Sequence, residues 1–129
     1  MTAILGIILS TIGAVSGAAE ESFDPDLKYA QVTAVEIEGN SDGSYDVHVT
    51  VRHADEGWDH YADRWEIVNP ETGGVIAVRE LLHPHVNEQP FTRSLTGVEI
   101  PGGIDSILVR ARCNLHGFEG RRSVQNIPE

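Results

Sequence analysis

The chain has 129 residues, nine Lys and Arg against 20 Asp and Glu, and a formal net charge of −11. That length allows one domain with a modest core. An acidic balance without a basic run argues against nucleic acid and anionic membrane surfaces as partners, and a single cysteine excludes an internal disulfide.

Residues 1–19 carry no charged side chain, and Ala3 to Val15 is a nearly continuous apolar run. Small residues follow at Ser16-Gly17-Ala18-Ala19, then the acidic pair Glu20-Glu21. This pattern predicts a secretory signal over 1–19 with cleavage near Ala19, and a single mature domain over 20–129 that is periplasmic or secreted. No Lys or Arg precedes the run, so the α-amino group alone supplies positive charge there. An uncleaved membrane anchor is the competing reading, and the run is short for one. No cysteine stands near Ala19, which speaks against a lipid anchor at that point.

After a polar lead the sequence alternates as strands do. The predicted strands are Val32 to Glu38, Tyr45 to His53, Ala62 to Asn69, Val75 to Leu82, Phe91 to Ile100, Ser106 to Cys113 and Arg121 to Ile127. Asn40-Ser41-Asp42-Gly43 is a hairpin turn signal between the first two. In the second, Tyr45, Val47, Val49 and Val51 share one face, while Asp46, His48, Thr50 and Arg52 share the other. Pro70 to Gly74 and Pro101 to Gly103 are further turns. About seven short strands with no convincing helix predict an all-β, immunoglobulin-like antiparallel sandwich. Trp65, early in the third strand, suits its core.

In such a sandwich successive loops fall at alternate ends. The loops Ala54–Tyr61, His83–Pro90 and Asn114–Gly120 then share one end. They and the adjoining strand ends hold His53, His60, His83, His85 and His116, five of the six histidines, with the only cysteine, Cys113. The opposite end has tight turns and no histidine. His53 continues the apolar face of Val47, Val49 and Val51; Cys113 continues that of Ile107, Val109 and Ala111. Both are expected to point into the mouth of the sandwich, whereas His48 faces outward and is solvated. One strand-end histidine is usually a polar surface residue, and a lone cysteine usually a small buried hydrophobe. Gathered at one end, imidazoles and a thiolate suit iron, copper or zinc.

Two segments resemble the superoxide reductases, the catalytic domain of desulfoferrodoxin and neelaredoxin. Cys113-Asn114-Leu115-His116-Gly117 reproduces the closing Cys-Asn-x-His-Gly motif of that family. His53, the acidic loop 54–59, His60-Tyr61 and Trp65-Glu66 are similar to a second family segment. The resemblance spans roughly residues 26–120. It implies an immunoglobulin-like sandwich holding mononuclear non-haem iron between four equatorial histidines and an axial cysteine. By position, His53, His60 and His116 would be equatorial ligands, Cys113 the axial thiolate, and Lys28 the lysine that attracts superoxide. The sequence departs from the family in three places. Ala54 replaces the usual proline, the His53–His60 loop is one residue longer, and Tyr29 stands where the earliest histidine ligand belongs. The fourth equatorial position is then vacant, filled by Tyr29, or supplied by His83 or His85.

Three readings follow. The first is reduction of superoxide to hydrogen peroxide, which needs an external electron donor. The second is a non-catalytic copper- or zinc-binding module on the same fold, with Asp55, Asp59 or Glu88 as further donors. The third is a sandwich that lost its metal, marked by a buried Cys113 with no histidine beside it. None calls for nucleic acid, or for a membrane after signal cleavage, and all are compatible with a homo-oligomer.

Overall fold

The structure, a computed structural model, describes residues 27–129; the expected signal segment and Asp26 lie outside them. Among the described residues there are seven strands and no helix: β1 (Gln31–Gly39), β2 (Tyr45–Arg52), β3 (Ala62–Val68), β4 (Val75–Glu80), β5 (Phe91–Val98), β6 (Ser106–Cys113) and β7 (Ser123–Asn126). They form two antiparallel sheets, β1-β2-β5 and β4-β3-β6-β7. The expected immunoglobulin-like sandwich is what forms.

Alternation decides which side of each strand is buried. Val47, Val49 and Val51 of β2 meet Trp65 and Ile67 of β3 and Ile107, Val109 and Ala111 of β6 in the core, all essentially inaccessible to solvent. Phe91 closes the core beside β5. Trp65 is fully buried, as its early position in β3 suggests. The sheets are also tied at both edges. Arg79 of β4 donates from Nε to the Ser94 carbonyl of β5 (3.0 Å). On the other edge Val32 N–H donates to the Arg121 carbonyl (2.8 Å), and Arg121 Nη1 returns a bond to the Val32 carbonyl (2.6 Å).

Strand ends differ from the expected ones where a local bond replaces the ladder. β2 stops at Arg52 because His53 N–H turns to the Gln89 side-chain oxygen (3.0 Å). β5 stops at Val98, beside a bulge in which Gly97 has φ +66° and donates to the Asp46 carboxylate. β7 begins only at Ser123, since Arg121 is committed to Val32. The first hairpin turn closes as the sequence suggests: Gly43, at φ +92°, donates to the Asn40 carbonyl (3.0 Å).

Candidate metal centre

Three loops converge at one end of the sandwich, those after β2, β4 and β6. His53 is the first residue beyond β2 and keeps the inward parity of that strand, so its side chain is fully buried. The chain then turns tightly. Gly57 adopts φ +115°, and His60 N–H donates to the Gly57 carbonyl (3.2 Å) while Glu56 N–H donates to the His60 carbonyl (2.8 Å). That turn brings His60 back to face His53 with their ring centroids 4.7 Å apart.

Cys113 closes β6 and is fully buried. Its N–H and carbonyl are both paired with Gly117, at 3.0 and 2.8 Å. Gly117 sits at φ +69°, a conformation that favours glycine, which accounts for the last residue of the motif. Asn114 joins this loop to the preceding one. Its Oδ1 accepts from Tyr61 N–H (2.9 Å), its Nδ2 donates to the Trp58 carbonyl (3.2 Å), and its own N–H donates to the Tyr61 carbonyl (3.1 Å). Cys113 and His60 are thereby held in fixed relation.

One potential ligand atom from each of His53, His60 and Cys113 lies within 4.8 Å of the others. Two donors at about 2.0–2.3 Å from one ion stand at most ~4.6 Å apart, so a small contraction gathers all three. His116 stands beside them, with Nδ1 3.6 Å from Cys113 Sγ and its ring 5.1 Å from that of His60. The histidine-free surroundings that would mark a lost site are therefore not those of Cys113.

The outer nitrogens of two imidazoles are anchored. His53 Nδ1 pairs with Asp55 Oδ1 at 2.6 Å, and His60 Nδ1 with Glu56 Oε1 at 2.7 Å. Metal-bound histidines commonly show a carboxylate fixing the ring in this way; here the other nitrogen of His53 lies 3.1 Å from the Lys28 carbonyl oxygen. His60 Nε2 is buried with no hydrogen-bond partner in the protein, an arrangement that is costly unless something fills it. The residues present thus fit a metal ion.

Asp55 does more than orient one ring. Its side chain is fully buried, and it also accepts from Ala62 N–H (3.0 Å) and His85 N–H (2.7 Å). Burial pushes its carboxyl up, but the bonds from His53, His85 and Ala62 outweigh that and hold it below the ordinary carboxylate range. Its importance was not evident in the sequence, where it is one of several acids in a polar loop.

The remaining sequence candidates lie around this centre. Lys28 is exposed, and its ammonium sits 5.2 Å above the Tyr29 ring, which packs edge-on against His116 at 5.3 Å. The Lys28 main-chain carbonyl, by contrast, reaches inward to 3.1 Å from both His53 Nε2 and His116 Nδ1. His83 and His85 are not in the gathered group. His85 is buried, stacked on Phe91 at 4.0 Å, with Nδ1 3.9 Å from the second oxygen of Asp55. His83 is exposed, its ring 4.7 Å from that of His85. His48 faces outward as expected but is only half-exposed; Ser94 Oγ (2.6 Å) and Glu38 (3.1 Å) engage its two nitrogens. With Glu36 and Glu38 it forms a second, more exposed group of donors among the described residues.

No protein-family model matches the chain. It is similar to a protein of Halomicrobium mukohataei named "Putative lipoprotein", with 38% identity over 104 residues. The match takes in 81% of this chain and 50% of the relative, so the chain spans about half the length of the curated relative it matches.

Proposed function

We propose that this chain is an exported protein that holds one metal ion through His53, His60, Cys113 and His116, and that with iron there it reduces superoxide to hydrogen peroxide. The observation that carries the reading is the convergence of His53, His60 and Cys113 within 4.8 Å, from the loop after β2 and the end of β6. The similarity of Cys113 to Gly117 to the superoxide reductase motif supports iron and this substrate. Export agrees with the charge-free segment 1–19 and with the name of the relative.

The overall reaction joins one superoxide, one electron from an external donor and two protons to give one hydrogen peroxide. Bound iron would supply the one-electron chemistry. The residues supply the rest. A Cys113 thiolate is a soft, anionic donor suited to that metal. Asp55 and Glu56 hold the two imidazoles in place. Lys28 offers an exposed positive charge at the rim, set against a net charge of −11 that repels an anionic substrate.

A specific observation favours copper or zinc as a second reading. Tyr29 stands where a fourth imidazole is expected, and the nearest replacement is the Lys28 carbonyl oxygen rather than a ring nitrogen. A donor set of imidazole, thiolate and one carbonyl oxygen suits a bound, non-catalytic ion.

Elemental analysis with an optical spectrum, on protein purified without a histidine tag, separates these readings. Superoxide reduction predicts one iron per chain and a thiolate-to-ferric band that Cys113→Ala removes. Copper or zinc in its place would move the assignment to the binding module. His48→Ala serves as the control and should leave the first equivalent of metal in place; an equal loss there would put the ion on the outer sheet face. No metal after reconstitution would overturn both readings.

A further inference from the structure

The loop between β4 and β5 and the strands beside it border a half-open pocket of about 100 Å³ lined by Arg79, Leu81, Leu82, His83, His85 and Arg93. Two of the nine Lys and Arg residues of a strongly acidic chain meet here with two of its six histidines. Both guanidinium groups are braced. Arg79 donates from Nε to the Ser94 carbonyl and from Nη1 to the Glu80 carbonyl. Arg93 donates from Nη1 to the Thr92 carbonyl and from Nη2 to Glu88. These bonds leave Nη2 of Arg79 and Nε of Arg93 uncommitted.

His85 provides the second observation. Only 5% of the residue is exposed, yet neither ring nitrogen has a hydrogen-bond partner in the protein. Its ring lies flat on Phe91, with an interplanar angle of 10°, so its orientation is set by packing rather than by a polar partner. The nearby Asp55 oxygen is 3.9 Å from Nδ1, too far for a hydrogen bond. Buried polar atoms left in this way are costly unless a ligand or water satisfies them. Two guanidinium groups at the wall disfavour a cation.

We propose that this cavity binds a small inorganic oxyanion of the carbonate, phosphate or sulfate class. Arg79 and Arg93 supply planar N–H donors that match oxyanion geometry, and the buried His85 ring lies beside them. Burial, with Arg93 and His83 close by, holds the His85 imidazole toward its neutral form, which still has one N–H to give. Glu88 is the internal competitor, since its carboxylate occupies one edge of Arg93. The inference does not depend on a metal at His53.

The test is a nitrogen-15 NMR titration of the full chain with sodium sulfate, sodium phosphate and sodium bicarbonate at constant ionic strength. The proposal expects saturable shifts at Arg93 Nε–H and the His85 ring, and the anion with the lowest Kd identifies the source. Arg93→Gln should weaken that binding by about tenfold or more, the loss of roughly one charge-assisted bond. Glu88→Gln should strengthen it, because the competing carboxylate is gone. Shifts that do not saturate, or that appear equally at the exposed Arg122, would mean the space holds water only and would overturn the proposal. So would an Arg93→Gln variant with unchanged Kd and an intact spectrum elsewhere.

Discussion

Replacing Asp55 with alanine tests the architecture of the centre most directly. The carboxylate accepts three bonds, from the His53 ring, Ala62 N–H and His85 N–H, and so joins the loop after β2 to the start of β3 and to the loop before β5. Each bond to a charged group contributes about 1.5–3 kcal/mol, and a buried N–H left without a partner costs about 1–3 kcal/mol. These overlap and do not add fully. The two backbone donors alone set a loss of about 3–5 kcal/mol, out of a typical ~5–15 kcal/mol for a domain. Denaturant unfolding of metal-free protein should show this as a lower midpoint with unchanged slope. Metal affinity should fall as well, by about 10–100-fold, because His53 loses the partner that orients it. Competition against a chromophoric chelator, using zinc, measures that second effect. A stability loss under about 1 kcal/mol together with unchanged zinc affinity would refute the reasoning. Asp55→Asn separates the two effects: its amide oxygen still accepts one bond, so stability should recover in part while zinc binding stays weakened.

Two further predictions concern the supports of the site. A β-carbon on Gly120 would overlap the Ala30 carbonyl oxygen, so Gly120→Ala must push apart the segment that follows Lys28. It should cost about 1–3 kcal/mol or more in unfolding experiments; an unchanged midpoint would mean the two segments do not touch. His85 is held below its ordinary value of 6.5 by burial, then by Arg93 and His83. The folded state therefore takes up this proton less readily than the unfolded chain. Stability attributable to His85 is present above pH 6.5 and declines as pH falls through the lowered value, by at most ~1.4 kcal/mol per pH unit. His85→Phe, which keeps the stack on Phe91, should flatten that part of the stability profile, and an identical slope in the variant would exclude His85 as its source.

Much of the frame was legible because strand alternation is a local signal. The faces of β2 and β6 gave the inward direction of His53 and Cys113 before any contact was known, and loop parity gave the shared end. The supports of the site were not legible. Asp55 matters because three donors from separate segments converge on it, and such convergence has no local signature. Asn114 could be singled out as part of a motif, but its bond to the Trp58 carbonyl spans 56 residues. His85 lies two residues from the exposed His83, and its stacking on Phe91 and its N–H bond to Asp55 set it apart.

The oxygen that stands between His53 and His116 belongs to the main chain of residue 28. No exchange of the Lys28 side chain removes it, so alanine scanning would pass over this position without detecting it. What controls it instead is where the backbone runs. That path is set by Ala54 N–H on the Leu27 carbonyl and by the closeness of Ala30 to Gly120. Sequence comparison has the same blind spot. A relative could replace Lys28 and Tyr29 freely and keep this oxygen, or preserve every histidine and lose it through one added methyl group at position 120.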